Sequence, residues 1–413
     1  MNQMPEQELK NPWSDRASFP VVSKKHIVLA ALACLVCALA LPLCTNEWIS
    51  LGVLAVLFAY VAVAVRSPIS VTVVLITAVV AVMLGGSFAV GAVFLSLTVG
   101  TAVGAYLMTV LRGPYLTVLL PAAAVGISVA LGVELRVALL ALVFVPASLL
   151  LSFATLKGRD RTEAICYTAA GLLLSLVAIL LVLIYLSYGN LGRNAIIGYF
   201  DTLRNGAIGT LASFRNELLS GMSGAVQDAA TKEAYDRFAM LLSDEMIGDV
   251  VSMVINILPA MAVIVCSVIA YEAQGMLNAV YYNTGLRQVV TPASRYFTMS
   301  VVSAVIYAVT FILTLLIPSS SMASAVVQNI SLILLPGFCV LGVQGILLSL
   351  ARARGGMRVF LLLFFGSMLC CYTGGALYIL AMWGAYGRVM DALHRKMLEK
   401  LSQDKNDGDF PDR

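Results

Sequence analysis

Charge is scarce in this chain. Only 12% of its 413 residues are Asp, Glu, Lys or Arg, and 60% are hydrophobic, whereas soluble domains carry about 25% charged and about 45 to 50% apolar residues. A water-soluble fold could not cover that much apolar surface. Histidine is scarcer still. His26 and His394 are the only two, so no H-E-x-x-H pair, His–Cys cluster or facial triad can be assembled, and zinc chemistry is excluded. No G-x-x-x-x-G-K-[ST] occurs, so ATP is not bound by a P-loop, and no G-x-S-x-G stands at a nucleophile elbow. Any energy coupling then needs a partner subunit or an ion gradient. No cofactor, no metal and no enzymatic activity are expected.

The basic residues do not form a nucleic-acid surface. The net charge of +4 comes from Lys and Arg set singly or in threes between apolar blocks, a pattern that reports membrane topology. Seven of the eight cysteines, Cys34, Cys37, Cys166, Cys266, Cys339, Cys370 and Cys371, lie inside apolar runs, where a thiol acts as a small hydrophobe. Cys34 and Cys37 form a C-x-x-C, but without the exposed, activated thiolate of a redox motif. The first apolar run begins at Ile27 after a polar segment and lacks a cleavage site, so it reads as an anchor helix and not a signal peptide.

What is present in abundance is membrane-length apolar sequence. Candidate spans are residues 27–44, 48–65, 69–84, 87–111, 114–133, 135–156, 165–187, 249–270, 294–317, 323–350 and 358–386. Lipid offers no partner to backbone N–H and C=O groups and the alternation of barrel strands is missing, so each span is a helix. The fold expected is an all-α polytopic transmembrane bundle of about 10 to 12 spans. The last block contains Gly374-Gly375 and reads as one long helix or as a hinged pair, the hinge being favoured because it returns the basic tail to the side of the N-terminus. Lys24, Lys25, Arg66, Arg112, Lys157, Arg159, Arg161, Arg287, Arg295, Arg352, Arg354 and Arg358 all fall on one side of the bilayer. By the positive-inside rule that side is the cytoplasm.

Five regions follow: a polar cytoplasmic tail (1–26), an N-terminal transmembrane bundle (27–187), an extracytoplasmic acidic segment (188–248), a C-terminal transmembrane region (249–397) and a disordered tail (398–413). In the outer segment Ile196, Phe200, Leu203, Ala207, Leu211, Phe214 and Leu218 recur at helical spacing, which predicts an amphipathic helical hairpin. Its apolar face either packs on its own bundle, lies in the headgroups or meets a partner.

Polar residues inside the spans are the default functional candidates, because burying them in lipid is expensive. Asn256, Asn329 and Gln344 are the main ones, as interhelical glue or as substrate contacts. Glu272 and Asp249 sit at span ends and read as solvated, which leaves no mid-membrane carboxylate and weighs against a proton pump. Small residues at Ala30, Cys34 and Ala38, and at Gly100 and Gly104, predict close helix packing within the bundle or against a membrane protein partner. Pro146 and Pro259 are expected to kink their helices. Asp391 and Arg395, four apart, are expected on one face of a helix leaving the last span.

Several ordered features in the second half carry a resemblance: the outer amphipathic segment, Ile257-Leu258-Pro259-Ala260 early in a span, Gln344-Gly345 before basic residues, and Gly387, Asp391 and Arg395 after the last span. Across residues 190 to 397 the chain resembles the YybS-like family of bacterial multispanning membrane proteins, whose biochemical function is not established. The first bundle is similar in layout to the substrate-binding subunits of energy-coupling-factor transporters, a likeness of fold that names no substrate. The resemblance implies a bacterial inner-membrane protein with a transporter-like bundle that binds a small molecule or lipid without catalysis. The alternative is a membrane scaffold that recruits envelope or cytoplasmic proteins.

Overall fold

A computed structural model of the protein describes residues 22–44, 46–66, 68–223, 229–291, 299–318, 321–352, 355–357, 359 and 373–407. Every regular element among them is helical. In chain order they are α1 (Lys24–Leu43), α2 (Glu47–Val65), α3 (Pro68–Gly85), α4 (Phe88–Leu111), α5 (Tyr115–Ala130), α6 (Leu135–Ala138), α7 (Val145–Leu156) and α8 (Arg161–Tyr188). There follow α9 (Arg193–Ser223), α10 (Ala229–Leu241), α11 (Asp244–Asn283), α12 (Val301–Leu316), α13 (Met322–Arg352) and α14 (Thr373–Asp407). Seven helical stretches among the described residues are long and apolar enough to cross a membrane: α1, α2, α4, Leu135–Leu156, α8, α11 and Ala323–Leu350. Val71–Met83, α5 and α12 are shorter apolar helices. About half of the last predicted block lies outside the described residues, and the Gly374-Gly375 pair, the proposed hinge, falls in the opening turn of a helix. What is described is α14, which begins at Thr373 and continues to Asp407, into the stretch read as a tail.

The chain divides into two compact units, residues 1–202 with 265–294, and residues 203–264 with 295–413. In the first, α4 is the central helix and packs against α1, α2, α3, α5 and α7. Its small residues account for that position. Gly91, Ala92, Ser96, Gly100, Ala102, Gly104 and Ala105 are all buried, which lets neighbouring backbones come close. A Cβ at Gly100 would stand 3.0 Å from the Phe144 ring, and one at Gly104 would meet the Ser148 hydroxyl. Ala30, Cys34 and Ala38 form a buried stripe on α1, which packs against α4 and α5. Pro146 does not kink a continuous helix as expected. The 135–156 span is broken into α6, a 3-10 turn at Leu139–Leu142, and α7, with Pro146 in the opening turn of α7, where its missing N–H costs nothing.

The helix ends of this unit are fixed by side chains. The Asn46, Ser87 and Asp160 side chains accept from the N–H groups of Trp48, Ala89 and Glu163 and cap α2, α4 and α8. The Glu47 carboxylate also accepts from the Ser87 hydroxyl at 2.5 Å and the Phe88 N–H at 2.9 Å, placing an anion on the start of α4. At the opposite end, α2 and α4 stop on Arg66 and Arg112, both left-handed with φ of 49° and 54°. That is a conformation glycine normally supplies, so both helices end with a guanidinium at the same face.

The second unit contains α12, α13 and α14 packed on one another around Ala304, Tyr307, Phe338, Ala381 and Ala385. The closest approach is a glycine crossing. A Cβ at Gly384 would collide with the Phe338 carbonyl and the Gly342 N–H, and one at Gly342 with the Leu380 carbonyl. On α9 the predicted apolar stripe is exposed at Leu203, Leu211, Phe214 and Leu218, while Arg215 donates to the Leu242 carbonyl and pairs with Asp244 at 2.5 Å.

Candidate functional site

Three of the candidate residues meet at one point in the second unit. Proline has no N–H and its ring crowds the preceding turn, so α11 is weakened around Pro259. In a regular helix the Ala260 N–H would donate to the Asn256 carbonyl. Here the Asn329 side chain of α13 is inserted between them. Its Oδ1 accepts from the Ala260 N–H at 2.9 Å, and its Nδ2 donates to the Asn256 carbonyl at 2.6 Å and to the Ala325 carbonyl at 2.8 Å. The amide of Asn329 thus replaces one rung of the α11 ladder. Asn256 takes part through its backbone, and its side chain is exposed. The Ala260 N–H, the Asn256 carbonyl and the Asn329 amide all have partners, and the arrangement joins α11 to α13.

The remaining candidates do not converge. Gln344 is half-buried, as is Gln328 on the same helix. Gly345 lies under the Trp383 indole, whose Nε1 is 3.5 Å from where a Cβ would be. Asp391 and Arg395 are exposed on α14.

The first unit holds polar groups that the sequence reading passed over. Most are hydroxyls with partners. The Ser148 hydroxyl lies 3.1 Å from the Thr101 carbonyl and 2.9 Å from its own Phe144 carbonyl, the Thr117 hydroxyl donates to the Gly104 carbonyl at 2.9 Å, and Thr109 bonds both Ser152 and Tyr281. Glu272 is different. It was expected to be solvated at a span end, but α11 runs on past residue 270 to Asn283, and Glu272 is only 4% exposed with no hydrogen-bond partner for either oxygen. The cause is visible in the sequence in retrospect. Ala273, Met276, Leu277, Val280 and Tyr281 continue at helical spacing and are all buried in the core of the first unit. A window that ends a span where mean hydropathy falls stops too early on such a helix.

A small cleft opens at the face of the first unit where α2 ends. It has a volume of about 80 Å³ and is lined by His26, Tyr60, Arg66, Tyr106, Asn283 and Thr284 together with the apolar Leu29, Val63, Ala64 and Val280. Asn283 fixes its floor by donating to the Val65 carbonyl at 2.5 Å and the Ala64 carbonyl at 3.1 Å, which ties the end of α11 to the end of α2. The Arg66 Nε donates to the Val63 carbonyl at 3.1 Å. Tyr106 is 1% exposed and its hydroxyl is buried without a partner. The Thr284 hydroxyl beside it donates instead to the Val280 carbonyl at 2.8 Å. A guanidinium, an unpaired phenol and an imidazole around a cleft of this size suit one small, oxygen-rich anionic group. Drug-sized ligands need about 300 to 1,000 Å³.

Comparison with protein-family models, curated proteins and solved structures finds no match to this chain.

Proposed function

We propose that this chain is a polytopic inner-membrane protein of ten to twelve spans whose first unit binds a small molecule or lipid through an anionic group, carboxylate or phosphate, in the cleft between Tyr60, Arg66 and Tyr106. The observation that carries the reading is the Tyr106 hydroxyl, buried without a partner in a residue that lines the same cleft as Arg66. A buried polar group with no partner costs stability, and a ligand that accepts its hydrogen bond recovers that cost. Binding and not catalysis is proposed, with the bundle acting in a transporter-like way.

The basic loops support a cytoplasmic N-terminus, and the ordered features around Pro259, Gln344-Gly345 and Asp391 support placement in the YybS-like family. Cysteines introduced at Ser213 and Gly158, in a background without reactive thiols, test the topology. The reading expects an impermeant reagent to label the first and spare the second in intact cells, and the reverse pattern would invert it.

Binding is tested by thermal stabilisation of the purified protein. Inorganic phosphate, small carboxylates and anionic phospholipid are compared with zwitterionic phospholipid. Stabilisation by phosphate or carboxylate alone identifies a soluble ligand, and stabilisation by anionic lipid alone identifies a headgroup site. No stabilisation by any of them removes the cleft as a binding site. The scaffold reading draws on one observation, the exposed apolar stripe of α9 at Leu203, Leu211, Phe214 and Leu218, and predicts crosslinks to partner proteins from that stripe.

A further inference from the structure

Glu272 lies away from the residues that line the cleft, and its surroundings discriminate between the two forms of a carboxyl group. It stands on α11 eleven residues before Asn283 (283 − 272), which at about 1.5 Å per residue is about 16 Å along the helix from the cleft floor. Its neighbours in sequence, Ala273 and Met276, are buried in the apolar core. The Thr77 hydroxyl of α3 faces it, but that hydroxyl donates to the Val73 and Val74 carbonyls at 2.9 and 3.1 Å. Its single proton is therefore engaged within its own helix, while its lone pairs are free to accept. An ionised Glu272 needs donors, and neither of its oxygens has one within hydrogen-bond distance. Burial in the apolar core therefore favours the neutral acid.

The charged group that reaches the same turn of α11 is Arg161, from the start of α8. Its guanidinium lies over the Tyr271 ring at 4.7 Å and within 3.9 Å of where a Cβ of Gly275 would be. It makes no ion pair with Glu272, and its Nε is buried without a partner. A metal cation is poorly matched to this place, because hard cations take about six or more oxygens and the site presents one carboxylate and one hydroxyl.

We propose that Glu272 is a proton-binding site inside the first unit, taking up a proton from water as a neutral carboxylic acid and releasing it as a carboxylate. Only the O–H bond forms and breaks, and the proton comes from and returns to solvent. This gives the bundle a means of coupling to a proton gradient, which the absence of a mid-membrane carboxylate from the sequence reading had weighed against.

The test uses the full chain in lipid nanodiscs and infrared difference spectroscopy of the carboxylic-acid carbonyl stretch across a pH titration. Glu272→Gln keeps the size of the protonated acid, and Glu272→Met provides a second variant if the amide does not fold. The expected result is a protonated-carboxyl band in the wild type, present where exposed carboxylates are ionised, absent from both variants, lost on raising the pH and unaffected by sodium at constant ionic strength. Identical spectra for wild type and variants would overturn the proposal. So would a Glu272 band that persists at every pH, which marks a permanently protonated structural acid, or one removed by sodium at fixed pH, which marks a cation site.

Discussion

Thr117 in the first unit and Asn329 in the second both bond the backbone of a neighbouring helix, but they meet helices in different condition. Thr117 donates to the Gly104 carbonyl, which lies in the uninterrupted helix α4. That carbonyl has a second lone pair to offer, so the hydroxyl adds a bond and displaces none. Asn329 occupies a gap in α11 and stands in for the bond between Asn256 and Ala260. Polar side chains in the second unit thus complete a backbone that proline has interrupted. In the first unit they decorate an intact one, and several buried groups there have no partner, among them the Glu272 carboxyl, the Tyr106 hydroxyl, Arg161 Nε and Gln274 Oε1, while Tyr307 and Ser331 have unpaired hydroxyls in the second.

The glycine crossings set the largest expected effect and apply to both units. Gly384→Leu drives a side chain into the Phe338 carbonyl and the Gly342 N–H, and Gly171→Leu drives one into the Ala147 backbone, whose Cα is 2.7 Å from a Cβ there. Backbone cannot rotate away, so each variant is expected to lose more than about 3 kcal/mol, beyond the usual cost of overpacking, and to fail to elute as a single species. Gly100→Ala meets only the Phe144 ring and is expected to survive. Equal behaviour of Gly100→Ala and Gly171→Leu would remove the distinction between ring and backbone contact.

Asn329→Leu comes next. It leaves the Asn256 carbonyl and the Ala260 N–H unpaired, at a cost of about 1 to 3 kcal/mol, read as a lower thermal midpoint in detergent. Restoring the helix should absorb the loss. In a Pro259→Ala background α11 can close its own rung, so Asn329→Leu should cost clearly less there, and an undiminished cost would mean that Asn329 acts elsewhere. Ser148→Ala, which removes a hydroxyl from an intact ladder, should cost about 0.6 kcal/mol and at most about 1.7. The smallest change is expected from Gln344→Leu and Gln328→Leu, both half-buried and each within about 0.5 kcal/mol of the wild type.

Much of the fold was legible because lipid imposes a simple rule. Seven of the eleven apolar blocks became single helices with ends within four residues of those read from composition, whereas 135–156 is broken and 249–270 runs on to Asn283, and Asn256, Pro259 and Asn329 were singled out by the sequence alone. Their joint role was not legible, since it needs two helices 69 residues apart in sequence, as the bond from Ala260 to Asn329 shows. The glycine crossing of α13 and α14 was missed for the same reason, because Gly342 and Gly384 form no short-range motif. Glu272 was missed for a different one. Its helix passes from a stretch with many exposed apolar side chains into the protein core near residue 270, and average hydropathy falls there although burial does not. The helical spacing from Ala273 to Tyr281 carries the signal that hydropathy loses.

The unpaired Tyr106 hydroxyl of the cleft is expected to serve binding and to contribute nothing to the stability of the first unit. The thermal midpoint of purified Tyr106→Phe, without ligand and beside Asn329→Leu, tests this most directly. Removing a buried hydroxyl that has no partner should leave the midpoint unchanged or raise it while abolishing stabilisation by the anionic ligand, and Asn329→Leu should lower it. A midpoint for Tyr106→Phe that falls as far as that of Asn329→Leu would contradict the account, because the hydroxyl would then be holding the fold together.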